Sequence, residues 1–304
     1  MRTWGGSGAT VLAPVRASSL ASVCSVFAAL SLASFASAAT PYPEGQRHSP
    51  MTAEIVERLT AVVARGGGRP DVFAKIGDSI TVNPGFLGCF ARPEEVLLED
   101  RESLAQTWKF FSKTTADGSH LPWDRPSKSA HIGWSTFGAI GTLKYSPLRE
   151  EIRIAKPALA IVMMGTNEVY GGGVGNYRYN LRRLLKLVLA DGVVPIVSTI
   201  PPRGDSPSLD AVVLQMNAVV REVAESEQVP LVDYGAALRS LPHKGVGPDG
   251  IHPVASQDPT TRLVRPCAFD ARSLESGINL RNLLTLEALD RARRFLFAGE
   301  TPDP

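Results

Sequence analysis

The sequence predicts an α/β fold, a three-layer α/β/α sandwich built on a central parallel sheet. Short, continuous apolar runs, above all residues 159–164 and 193–200, have the length and composition of strands buried on both faces. Amphipathic stretches of helical period, residues 177–190 and 209–226, separate or follow those runs. Apolar strands that alternate with crossover helices make a parallel sheet covered on both sides. With 304 residues, 44% of them hydrophobic and 20% charged, the chain has material for one large core.

The elements follow in order. After a Pro-containing linker over residues 39–48, Ser49-Pro50 offers a capping residue and a first-turn proline. Met51, Ile55, Leu59, Val62 and Val63 then form one apolar helix face, which Gly66-Gly67-Gly68 stops. Residues 72–76 read as a strand that runs into Gly77-Asp78-Ser79. Residues 93–114 read as a second helix, with Leu97, Leu98, Leu104 and Trp108 at roughly helical spacing. A polar loop, 117–129, leads to His131-Ile132-Gly133-Trp134-Ser135-Thr136-Phe137-Gly138. The strand at 159–164 ends in Gly165-Thr166-Asn167-Glu168, and that at 193–200 ends in Pro201-Pro202. A short strand at 229–232 precedes a long loop, and a Leu-rich helix covers 279–297. Residues 49–300 therefore form one domain without an internal repeat.

Charge excludes some functions. Thirty-two basic residues against 30 acidic ones leave +2, no field for nucleic acid or an anionic membrane surface. Arg2 and Arg16 precede an uncharged run, residues 17–39, that ends in Ala36-Ser37-Ala38. That pattern is a secretory signal peptide over residues 1–38, cut after a small-residue site, and it predicts a secreted or periplasmic protein. The alternative is an uncleaved N-terminal membrane anchor, since the run is long enough to cross a bilayer. Cleavage would remove Cys24 and leave Cys89 and Cys267. In an oxidising compartment those two are most simply a disulfide, with two unpaired buried thiols as the alternative.

Open parallel sheets bind ligands beyond the carboxyl ends of their strands, and three polar stretches fall there. Ser79 follows the first strand, Asn167 follows the strand at 159–164, and Pro248-Asp249-Gly250-Ile251-His252-Pro253 lies beyond the last strand. Each alone is an ordinary turn. Together they supply a chemistry. A serine hydroxyl attacks only when a base takes its proton, and histidine has the pKa for that task near neutrality. A carboxylate then fixes the imidazole in one tautomer, and the three-residue spacing of Asp249 and His252 lets one turn of chain bring them together. Backbone amides at Ser79 and a glycine, with the Asn167 side-chain amide, are donors for an oxyanion.

In this arrangement the chain resembles the SGNH, or GDSL-type, hydrolase superfamily, whose signature is a Ser, a Gly, an Asn and a His in separate blocks. Gly77-Asp78-Ser79-Ile80 matches the first block, with Ile where Leu is common. Gly165-Thr166-Asn167-Glu168 matches the third, with Glu168 where Asp is usual, and Asp249-Gly250-Ile251-His252 matches the last. For the second, Gly133 falls in the right interval and Gly138 is the fallback. The resemblance spans about residues 71–253 and implies a flavodoxin-like fold. It implies Ser79 as nucleophile, His252 as base, Asp249 as its partner, and an oxyanion hole of Ser79, Gly133 and Asn167. It also implies an ester substrate, whether a small molecule, a lipid or a carbohydrate, and chemistry without metal or cofactor. Two other readings stand beside this esterase: a carbohydrate O-acetyl esterase, and an idle relative that binds a glycan.

Other residues carry less. His48, His120, His131 and His243 lack a ligand-like pattern with Cys, Asp or Glu, and only His131 lies close enough to Gly133 to line a cleft. Gly171-Gly172-Gly173 lacks the lysine of a phosphate loop and reads as a rim to the site. Trp123 and Trp134 flank the second block as core residues or as a stacking wall.

Overall fold

A computed structural model describes Gly8, Tyr42 and residues 45–302. Apart from Gly8, the expected signal peptide lies outside the described residues, as does part of the linker. In the body, helix α1 (Ala53–Gly66) leads into strand β1 (Arg69–Gly77), followed by the short helices α2 (Ser79–Val82), α3 (Ala105–Phe110) and α4 (Thr136–Ile140). Helix α5 (Pro147–Ala155) precedes β2 (Pro157–Met163), α6 (Val174–Ala190) precedes β3 (Val194–Ser198), and α7 (Pro207–Ser226) precedes β4 (Leu231–Val232). The short α8 (Tyr234–Leu238) and the long α9 (Gly277–Ala292) follow, and a π-helical turn, Arg293–Phe297, continues α9.

The four strands are parallel and lie in sequence order. Phe73 pairs with Leu159 and Gly77 with Met163; Leu159 pairs with Val194, and Val197 with Leu231. β2 and β3 are buried at every position, which explains why their sequence runs are apolar without alternation. Strands that succeed one another in one direction, joined by right-handed crossovers, place their connecting helices on one face. Accordingly α4 contacts α5 and α6, and α6 contacts α7. On the other face α9 contacts α3 and α8, and the turn after α9 contacts α1.

Two local expectations are corrected. Ser49 does not cap α1; its N–H donates to the Leu231 carbonyl and its hydroxyl accepts from the Leu231 N–H, so it extends along β4. Thr52 is the cap, its hydroxyl accepting from the Ile55 N–H. The linker residues beside it also have partners: the Tyr42 hydroxyl donates to the Val229 carbonyl, and His48 bridges Val232. Residues 93–114 do not form one helix. Leu97 leaves helical geometry to pair with Ala268: its N–H donates to the Cys267 carbonyl and its carbonyl accepts from the Phe269 N–H. Only α3 and two short 3-10 turns, Pro93–Glu95 and Glu102–Leu104, remain helical. Trp123 is a core residue, with its ring 5.0 Å from that of Phe73 and 4.8 Å from that of Phe90.

Helix α9 is buried on nearly every side, polar positions included. Its side chains hold two loops. The Asn282 amide accepts from the Leu87 N–H and donates to the Gly85 and Pro266 carbonyls. Arg281 donates to the Ile80 carbonyl and the Thr81 hydroxyl, and its guanidinium lies 3.5 Å over the Phe86 ring. Beside Asn282, Cys89 and Cys267 are joined by a disulfide, with their Cα atoms 5.9 Å apart.

Candidate active site

Ser79 is the first residue of α2, at the carboxyl end of β1. A Cβ on Gly77 would sit 2.1 Å from the Thr81 hydroxyl oxygen, so only glycine lets the strand fold back into the helix this tightly. Asp78 caps that helix by accepting the Ile80 N–H at 3.0 Å. Burial raises the Asp78 carboxyl above its ordinary value, against the Ile80 amide and the Arg281 charge, which lower it. Asp78 is fully buried, so its part is structural: it builds the turn and is not exposed to a ligand.

The Asp249 and His252 pair arrives from the loop after α8. A Gly250 N–H to Gly247 carbonyl bond tightens the turn, and the Gly204 N–H, in the loop after β3, donates to the Gly250 carbonyl. The Ile251 and His252 N–H groups both donate to Asp249 Oδ1, at 2.9 and 3.0 Å. The other oxygen, Oδ2, lies 2.6 Å from His252 Nδ1. His252 Nε2 lies 2.9 Å from Ser79 Oγ. Partial burial pulls the Asp249 carboxyl upward. The Ile251 amide, the His252 ring and the His252 amide outweigh it and hold the group below the usual carboxylate range. An ionised Asp249 accepts from Nδ1–H, which leaves Nε2 unprotonated toward the serine.

Gly133 and Asn167 come together by a separate route. The Gly77 N–H donates to the Ser129 carbonyl and the Gly77 carbonyl accepts from the His131 N–H, so the segment that carries Gly133 is tied to the end of β1. Asn167 follows β2, the neighbour of β1, and its Nδ2 donates to the Trp134 carbonyl at 2.8 Å. That bond uses one amide proton and leaves a second for a ligand. Gly133 has φ of 77°, a conformation that favours glycine, and open space where a Cβ would be. Gly138 instead lies inside α4, where a Cβ would press on the Trp134 ring at 3.2 Å, so its smallness serves packing.

Sequence reasoning missed the residue beside Asn167. Glu168 is buried, and its Oε1 accepts from both the N–H and the hydroxyl of Thr136. Its one signal was the departure from the usual Asp. Of the remaining candidates, His131 stacks on Trp134 with ring centroids 5.1 Å apart, and His120 bonds to Asp117. Gly173 precedes α6, and the Gly171 and Gly172 N–H groups close the turn onto the Glu168 carbonyl. A cavity of about 610 Å³ backs onto the 247–250 turn, lined by Pro248, Gly250 and Val254 among others, but not by Ser79 or His252.

Fold and site together define a parallel α/β protein with a hydroxyl, an imidazole and a carboxylate in hydrogen-bonded series at the sheet's carboxyl edge. The model of the GDSL-like lipase/acylhydrolase family matches residues 76–256, more than half of the chain, and the chain belongs to that family of ester-bond hydrolases. No curated protein matches. Among solved structures, a GDSL-like lipase from Bacteroides thetaiotaomicron is 18% identical over 78% of this chain and 98% of its own, with a TM-score of 0.44. An acetylxylan esterase from Geobacillus stearothermophilus is 18% identical over 73% of this chain and 95% of its own, with a TM-score of 0.46. A lipase/acylhydrolase from Enterococcus faecalis is 18% identical over 72% and 95%, also with a TM-score of 0.46.

Proposed function

We propose that the protein hydrolyses carboxylic esters through an acyl-enzyme on Ser79. The series Ser79 Oγ, His252 Nε2, His252 Nδ1, Asp249 Oδ2, with distances of 2.9 and 2.6 Å, carries this reading. His252 takes the Ser79 proton as Oγ attacks the ester carbonyl, and Asp249 balances the imidazolium that forms. The oxyanion accepts from the Ser79 and Gly133 N–H groups and from the free proton of the Asn167 amide. As the tetrahedral species collapses, His252 protonates the departing alcohol. Water then enters, gives a proton to His252 and attacks the acyl carbon, which returns Ser79 and releases the acid. Every step uses side chains and amides of this chain.

Two observations support a secreted site of action: the leader-like residues 1–38, and a disulfide that oxidising compartments preserve. Among the described residues no helix is long and apolar enough to cross a membrane. Sequencing the protein recovered from the medium or periplasm should find its first residue near Ala39. For the chemistry, Ser79→Ala should abolish hydrolysis of p-nitrophenyl acetate while circular dichroism is preserved, and a fluorophosphonate should label only the parent. Turnover that survives the substitution would sink the proposal.

A further inference from the structure

Lys75 lies in β1, two residues before Gly77, and is buried. Its Nζ donates to the Trp123 carbonyl at 2.8 Å and makes no ion pair among the described residues. A buried ammonium is ordinarily paired, because an uncompensated charge away from water is costly. The charges that face Lys75 compensate it only in part. Arg125 is spent on Glu151, Arg281 is spent on the Ile80 carbonyl and the Thr81 hydroxyl, and Asp124 is exposed. Burial pulls the Lys75 pKa down to about 8, which still leaves the ammonium as the main form at pH 7.

Lys75 lines a cavity of about 440 Å³. Phe86, Trp123, Pro84 and Pro126 supply apolar walls, and Arg92, paired with Glu95, and Val82 and Asp124, both exposed, line it as well. Ser79 does not line the cavity, but residues of its own helix and of the strand end before it do. Val82 stands three residues after Ser79 on α2, hence on the same helix face, and Ala130, bridged to Gly77, lines the cavity too.

We infer that this cavity is a substrate subsite that receives a carboxylate, with Lys75 as its partner, so that the enzyme selects esters carrying an anionic group. The assignment rests on Ser79 as the nucleophile for its link to catalysis. The anion site itself is testable without turnover.

The probes are 4-hydroxybenzoate and its neutral isostere 4-hydroxybenzamide, measured by calorimetry at pH 7 on the full chain. The parent protein should bind the acid about tenfold more tightly than the amide. Lys75→Met should bind the two alike, and Asp124→Asn, which removes the competing negative charge, should bind the acid more tightly than the parent does. Equal binding of both probes by the parent, or a preference that survives Lys75→Met, would overturn the assignment. Should Lys75→Met fail to fold, Asp124→Asn decides alone, and an unchanged preference there overturns it. The matching esters, 4-acetoxybenzoate and 4-acetoxybenzamide, should show the same order in kcat/KM. Charge-selective binding with turnover indifferent to Ser79→Ala would remove the serine mechanism only. Turnover that needs Ser79 but ignores the charge would remove the subsite only.

Discussion

Glu168 Oε1 accepts both the backbone N–H of Thr136, at 2.5 Å, and its hydroxyl, at 2.6 Å. Its neighbour Asn167 holds the Trp134 carbonyl, so two adjacent side chains after β2 fix the segment just beyond Gly133. The longer reach of Glu, where the superfamily usually has Asp, is used to clamp that segment. Glu168→Ala strands a buried N–H and hydroxyl, and should cost roughly 1–3 kcal/mol for each donor left without a partner. It should also lower kcat by freeing Gly133. Urea unfolding and steady-state kinetics on p-nitrophenyl acetate measure the two effects. Glu168→Gln, which keeps an acceptor oxygen, should lose less of both.

In the proposed mechanism Asn167 has two duties, one N–H on the Trp134 carbonyl and one for the oxyanion. Asn167→Ala should therefore lower kcat by about 10²- to 10³-fold, the usual loss for one oxyanion donor. KM should change far less, because a ground-state carbonyl gains little from that donor. A loss confined to KM would remove Asn167 from the oxyanion hole and leave it a role in holding the loop alone.

The sheet and the hydrogen-bonded series of Ser79, His252 and Asp249 were legible because both are written in local pattern. β2 and β3 are unbroken apolar runs, and Gly77-Asp78-Ser79 and Asp249-x-x-His252 are short turns whose residue types follow from geometry. Residues 93–114 misled because Leu97 pairs with Ala268, a partner 171 positions away that helical spacing cannot reveal. Helix α5 went unread although Ser146-Pro147 announces it, with the Ser146 hydroxyl accepting from the Arg149 N–H. Arg281 and Asn282 were hidden in a Leu-rich helix whose polar residues are buried along with its apolar ones. Lys75 gave a signal, a charge within an apolar strand, whose meaning appears only once the neighbouring cavity is known.

The disulfide joins the loop after α2 to the loop after His252, closing a separation of 178 residues. Chain entropy sets its upper contribution at about 5 kcal/mol. The native state is held at the same place by Asn282, which bonds Gly85, Leu87 and Pro266. A double Cys89→Ala, Cys267→Ala variant should therefore lose about 2–4 kcal/mol of stability while keeping most of its activity, as read by denaturant titration beside p-nitrophenyl acetate turnover. Both cysteines are fully buried, so dithiothreitol should act only as fast as the protein opens. Full activity loss in the double variant at a temperature where it remains folded would show that Asn282 alone cannot hold the loops.

Lys75 also makes a prediction about stability against pH. Burial lowers its folded-state pKa from 10.5 to about 8, so between those values the unfolded chain keeps a proton that the folded chain has released. Stability must rise with pH across that window. Below pH 8 both states are protonated, and the full destabilisation, about 3 kcal/mol, is present. Lys75→Met removes the titration altogether. The stability of the variant minus that of the parent should be largest near pH 7 and shrink steadily from pH 8 to 10, measured by urea unfolding at each pH. Other groups that titrate there act alike in both proteins and cancel in the difference. A difference independent of pH would mean that Lys75 titrates in the fold as it does in water, and that its ammonium is not desolvated.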